Sequence, residues 1–189
     1  MLSAEPMAIP QAAAEVKTYL RLFAQDEDAL VTACLASAAM LCERFTRQAL
    51  LVRAHRERMA VTGAWTMLGA APVQAIESVA AVAADGSESA LPGGGHGVDI
   101  DAGGRGWVQV APGAARRVLV TYRAGLAAEW DGLPDALRHG IVRLAAHLFT
   151  ERGGDAAASP PAAVSALWRP WRRLALGGMA SGGGDVRAG

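Results

Sequence analysis

Residues 134–152 read PDALRHGIVRLAAHLFTER. Pro134 suits a first helical turn, where its missing N–H costs no intrahelical bond. Asp135 places negative charge at the positive end of the helix dipole. Leu137, Ile141, Leu144, Ala145 and Leu148 recur at helical spacing and form one apolar face. Arg138, His139, Arg143 and His147 lie largely off that face. Arg152 occupies the last turn, and Gly153-Gly154 stops the helix. At 1.5 Å per residue it is about 28 Å long. A helix so one-sided needs an apolar partner, and the rest of the chain has to supply it.

The chain has 189 residues, which fits one domain plus appendages. Its 52% apolar content supports a core, although much of this is alanine, which adds little area per residue. The formal net charge is zero, so the global basic field of a sequence-independent DNA binder is missing, and self-association is favoured. Cys34 and Cys42, about 12 Å apart on one predicted helix, are too distant to bridge each other. They are expected to be buried, reduced thiols in a protein made in the cytoplasm. No targeting segment is legible in a start that lacks basic residues and contains Pro6 and Pro10. The longest apolar run, Ala29 to Cys42, is short for a bilayer, so a soluble protein is expected.

Taken in order, residues 1–10 read as a loose arm. Gln11 to Arg21 reads as a short helix with Val16, Tyr19, Leu20 and Phe23 on its apolar side. Asp26, Glu27 and Asp28 open a second helix that runs to about Thr46. Its stripe of Leu30, Cys34, Ala38, Leu41 and Phe45 is expected to pack along the 134–152 helix. Residues 50–123 read as β-rich. Leu50 to Val61 alternates loosely. Ala75 to Ala84 followed by Asp85-Gly86 is a hairpin signal. Gly97 to Asp101, Gly106 to Val110 and Arg116 to Arg123 read as further strands. The fold class expected is therefore α+β: mainly a helical bundle, two N-terminal helices on the long C-terminal one, with a small inserted antiparallel β subdomain. Residues 11–153 form the single domain, 154–163 a linker and 164–189 an extended C-terminal arm.

Sites for chemistry are sparse. Three consecutive acids cannot all face one ion on a helix, so Asp26, Glu27 and Asp28 read as a solvated helix start. The GGGHG run at 93–97 lacks the lysine and following helix of a phosphate loop. Neither a GxSxG nor an HExxH motif occurs. His139 and His147 are eight residues apart and lack a third ligand in sequence, and His55 and His96 are scattered. No catalytic residue, metal site or cofactor is nominated.

The tail carries more information. Residues 164–179 read VSALWRPWRRLALGGM. Two of the chain's five tryptophans, Trp168 and Trp171, stand here among Arg169, Arg172 and Arg173. Tryptophan and arginine dominate interface hot spots. Pro170 biases Arg169 towards an extended backbone. One reading folds the tail back so that both indoles cap the protein's own core. The other makes it an arm that orders on entering a groove of another protein, with Leu167, Trp168, Trp171, Leu174 and Leu176 as anchors.

The helix pair ending in FTRQAL (45–50), the β-rich middle with its DG turn, VTYRAG (120–125), LPDALRHGIVRLAAHLFTER (133–152) and LWRPWRR (167–173) follow one another in an order that resembles the phage head–tail connectors, specifically the adaptor beneath the portal. The resemblance spans about residues 11–174. The Ala-, Gly- and Arg-rich composition also suits the adaptor of a gene transfer agent, a domesticated phage-like particle. The resemblance implies a non-enzymatic virion structural protein, made in the bacterial cytoplasm and built into a particle's neck. It would form a ring of twelve copies, bind the portal protein above and the next neck or tail-completion protein below, and let DNA pass through its lumen unread. Leu167, Trp168, Arg169, Pro170, Trp171, Arg172, Arg173, Leu174 and Leu176 would bind the portal. Asp26, Glu27 and Asp28 are candidate lumen liners. The competing reading, a small nucleic-acid-binding regulator, draws on the arginines at 53, 56, 58 and 169–173 and predicts steeply salt-dependent duplex binding.

Overall fold

The computed structural model describes residues 1–5, 7, 9–22, 27–91, 94–151 and 160–173. Along these the chain runs β1 (Leu2–Ala4), α1 (Pro10–Leu20), α2 (Asp28–Thr46), β2 (Arg53–Ala60), β3 (Thr66–Met67), β4 (Val73–Val82), β5 (Glu88–Ala90), β6 (His96–Ile100), β7 (Gly106–Val110), β8 (Arg117–Ala124), α3 (Asp135–Thr150) and α4 (Ala162–Trp168). Pro10 starts α1, and Arg21 ends it in a left-handed conformation with φ 56°. Pro134 caps α3, whose expected stripe is buried at Leu137, Ile141, Leu144 and Ala145 and half-buried at Leu148. Arg152 lies outside the described residues.

Helices α1, α2, α3 and α4 share one core, in which α2 packs along α3 as expected. At 19 residues α2 is long and apolar enough to cross a membrane. Its Val31, Cys34, Leu35, Ala38, Ala39 and Cys42 are instead buried in this core. Both cysteines are free, and burial pushes the Cys42 thiol far above its usual range.

A second core lies between two antiparallel sheets. The larger has the order β1-β2-β8-β4-β5 and the smaller β3-β7-β6. Val118, Val120, Tyr122 and Ala124 alternate inward from β8 to meet Val108 and Val110 from β7. The Tyr122 hydroxyl donates to Glu57 Oε2 at 3.0 Å and accepts from the Ala70 N–H at 3.0 Å, which pins the 68–70 loop over the sheet. The Asp85-Gly86 turn forms as expected between β4 and β5. Gly86 has φ 88°, and Asp85 Oδ1 accepts from the Ser87 N–H at 2.9 Å. The two cores are joined where the chain leaves α2 and where it leaves β8. Leu126 N–H donates to Leu50 O at 2.9 Å and Val52 N–H to Ala127 O at 2.8 Å. This approach is so close that a Cβ on Gly125 would stand 2.3 Å from the Leu51 carbonyl carbon.

Four expectations need correction. The fold is α+β but not mainly a helical bundle, because the two sheets enclose a core of their own. Strand β2, in the segment expected to belong to a small insert, is an interior strand of the larger sheet. It pairs along its full length with β8, and His55 on it is only 3% exposed. Residues 2–4 are not a loose arm. They pair antiparallel with β2, Leu2 opposite Glu57 and Ala4 opposite His55, and so satisfy backbone groups that β2 would otherwise present as an open edge. Finally, residues 162–171 are not extended: α4 is followed by a 3-10 turn at Arg169–Trp171.

Candidate docking surface

The residues nominated as partner-binding sit on α4 and the turn after it. Helix α4 begins after Pro161, whose carbonyl accepts from the Ser165 N–H at 2.9 Å. The AAVSALW run favours helix. Arg169 keeps helical backbone angles (φ −53°, ψ −42°), which corrects the extended geometry expected before Pro170. Pro170 lies in the first positions of the 3-10 turn, where a missing N–H is tolerated. The helical path is what carries Trp168 into the core.

Trp168 is fully buried. Its indole lies against Gly140, where a Cβ would come within 2.1 Å of Nε1. The Nε1–H donates to Leu137 O at 3.4 Å, and the ring stands 5.8 Å from Phe45 at a 57° tilt. Trp171 is half-buried against the same helical core, and its carbonyl accepts from Gln48 Nε2 at 2.6 Å. Arg173 donates its backbone N–H to Thr46 O at 2.9 Å and its Nε to Gln48 Oε1 at 3.1 Å, and its guanidinium also reaches Gly103 O. Burial, with Arg105 adding, lowers the Arg173 pKa. Arg172 is exposed and stacks its guanidinium 5.8 Å over the Phe45 ring. Arg169 and Pro170 are exposed, and Leu167 is half-buried. The segment is thus stapled at both ends, and it faces outward through Arg169, Pro170 and Arg172.

No protein-family model matches the chain, and no curated protein matches it. Solved structures do. A chain of the virion of a native gene transfer agent particle is 30% identical with TM-score 0.71, over 94% of this chain and 98% of that one. Chains from the neck of the native particle with C12 symmetry and from the neck of the empty particle with C6 symmetry are each 29% identical, with the same coverage and TM-score 0.71.

The chain belongs to the adaptor-type neck proteins of gene transfer agents.

Within this neck protein the nominated residues divide. Trp168 is a core side chain and does not offer its indole to a partner, because Gly140 leaves a slot that the ring fills. Leu174 and Leu176 lie outside the described residues, as does Asp26. Glu27 is half-buried at the start of α2, while Asp28 is exposed and paired with Lys17. The arginines of the nucleic-acid reading are partly committed elsewhere. Arg53 makes a bidentate pair with Glu43, both contacts at 2.8 Å, and Arg56 pairs with Glu88 at 2.8 Å. His139 is exposed and His147 half-buried, 3.8 Å from Glu151. Among the described residues no group of histidine, cysteine and carboxylate side chains is placed to hold a metal.

Two residues of this neck protein escaped the reading of the sequence. Gln48 bonds both Trp171 and Arg173, and a lone glutamine after a helix carries no signal for that. Gly140 did carry one: glycine in mid-helix costs about 1 kcal/mol against alanine, so something has to need the space.

Proposed function

We propose that this neck protein is the adaptor of a phage-like gene transfer particle. In this reading it is a non-enzymatic ring component, of twelve copies, that joins the portal protein to the next neck or tail-completion protein and lets DNA through its lumen unread. The protein is made in the bacterial cytoplasm and assembled into the particle. The observation that carries the reading is the end-to-end likeness to gene transfer agent chains, 94% of this chain and 98% of that one at 30% identity. A likeness of that extent includes the C-terminal segment as well as the body.

The portal-binding strip is then Arg169, Pro170 and Arg172, with the half-buried edges of Leu167 and Trp171 and the half-buried staple Arg173. Leu174 and Leu176 continue it. Trp168 acts as a positioning residue that clamps the strip to α3. Glu27 and Asp28, with Asp26 before them, remain the proposed lumen liners, where negative charge keeps DNA from sticking.

The test is retention on purified portal rings. Arg169→Glu with Arg172→Glu is expected to abolish retention while leaving the circular dichroism spectrum unchanged and lowering the melting temperature by at most a few degrees, since both side chains are exposed and only the Arg172 stacking on Phe45 is lost. Normal retention of the double variant would reject the strip. Failure of the unaltered chain to bind any portal ring would reject the adaptor role.

A further inference from the structure

The register of the small sheet places Met67, Trp107 and Asp99 in one row across β3, β7 and β6. Trp65, one position before β3, aligns with the next row, Gln109 and Gly97. This row pair faces away from the core, since Val108 and Val110 alternate to the other side. Trp65 and Met67 are 48% and 47% exposed. The Trp65 ring spans the strands to lie over Gly97, where a Cβ would stand 3.2 Å from it. Trp107 is held by its Nε1–H, which donates to Asp101 Oδ2 at 3.2 Å. Gln109 is held by its own bond to Gly63 O at 2.8 Å. An ordered, half-exposed aromatic face of this kind marks a protein contact, and its fixed side chains lose little entropy on binding.

An uncharged surface lies in the helical layer. Met7, Ile9, Pro10, Ala13, Leu35 and Met40 line a cleft of about 580 Å³ beside α1 and α2, and no charged side chain lines it. Met40 is 60% exposed. The two surfaces share no residue and lie in different layers of the fold.

We infer that the Trp65–Met67–Trp107 face of one copy seats on the α1–α2 cleft of the next copy in the ring. The inference rests on the ring reading above. In a rotational ring of more than two copies every neighbour contact is heterologous, so the aromatic face cannot meet its own counterpart and needs a different surface opposite. The cleft matches it in chemistry: no charged side chain lines the cleft, the one carboxylate in the facing row, Asp99, stands on the outer strand β6, and methionines on both sides adapt to close fit.

The test attaches a maleimide-benzophenone photoprobe to a Met67→Cys chain, mixed with an equal amount of ¹⁵N-labelled chain lacking the probe. Cys34 and Cys42 are buried and stay unlabelled. The mixture is irradiated both free at high concentration and bound to portal rings. Cross-linked peptides are then read by mass spectrometry. Peptides from residues 7–40 of a labelled copy are expected, and Met40→Glu in that copy should cut their yield at least tenfold. Peptides around residue 67 of the labelled copy, peptides from the portal, or no intermolecular cross-link in either state would each overturn the inference. Retention on portal is scored separately, so loss of the cross-link on retained rings rejects this contact and leaves the adaptor role standing.

Discussion

Gly140 sits within α3, where a Cβ would press on Trp168 Nε1 at 2.1 Å. In an unconstrained helix Gly→Ala stabilises by up to about 1 kcal/mol. Here Gly140→Ala is expected to destabilise by about 1–3 kcal/mol, because the indole has to leave its slot. Urea unfolding decides it, and a stabilised variant would show that the indole is not seated there. Trp168→Ala is expected to cost about 3–5 kcal/mol. His55 is the other residue whose setting has consequences. It stacks on Tyr122, with ring centroids 5.5 Å apart at 19°, and neither ring nitrogen makes a hydrogen bond of normal geometry. Burial, with Arg53 adding, holds its pKa below the usual value, although the Ala124 backbone opposes the shift. The unfolded chain therefore binds a proton near pH ~6.5 that the folded chain refuses. The stabilising contribution is complete above that pH and is lost as pH falls through the folded value. His55→Phe keeps the ring and removes the titration, so its melting temperature should fall less between pH 7 and pH 5 than that of the unaltered chain. Equal slopes would assign the pH dependence to other groups.

Among elements, the contact between α2 and β2 depends on one carboxylate. Glu43 accepts from the Leu50 N–H at 2.9 Å and from both terminal nitrogens of Arg53 at 2.8 Å. Glu43→Ala is expected to cost about 1.5–3 kcal/mol, the scale of hydrogen bonds to a charged group. Combining it with Arg53→Ala should cost less than the sum of the single changes, as a double-mutant cycle would show. Helix α4 is the second joining element. A chain ending at Pro161 loses Val164 and Trp168 from the helical core and is expected to melt well below one ending at Arg173. Equal melting temperatures would mean that α4 adds nothing to the body. The sequence read this segment as an extended arm, and nothing local to it says where a helix would land, since the slot is made by Gly140, Leu137 and Phe45 on two other helices.

At the scale of the molecule, the chain is neutral, with 18 basic and 18 acidic residues, so its charges act locally rather than as one field. The proposed copy-to-copy contact joins mainly apolar surfaces, with Asp99 the one charged residue in the row, whereas the proposed portal strip presents Arg169 and Arg172. Raising salt to about 0.5 M is therefore expected to weaken portal retention and to leave self-association intact, because screening acts on exposed charges and not on apolar burial. Retention across a salt series, beside sedimentation of the free chain, reads both. Self-association that dissolves in salt would point to a charged contact instead.

The sequence by itself determined the pieces whose causes are local. The stripe of α3 comes from 3.6-residue periodicity, the β4–β5 hairpin from Asp85-Gly86, and β8 from alternation, whereas the stripe expected on α2 turns so that Val31, Leu35 and Cys42 are buried and Leu30 is exposed. The order of FTRQAL, VTYRAG and LWRPWRR pointed to the adaptor family that the neck structures then matched. Only the tertiary structure decided which surfaces face out. It buried Trp168, made an edge strand of residues 2–4, closed two sheets over a second core and left Trp65 and Met67 half-exposed. The physical reason is that burial belongs to pairs of distant elements. A side chain's own neighbours in sequence set its local geometry, but whether it meets water depends on what another part of the chain brings against it.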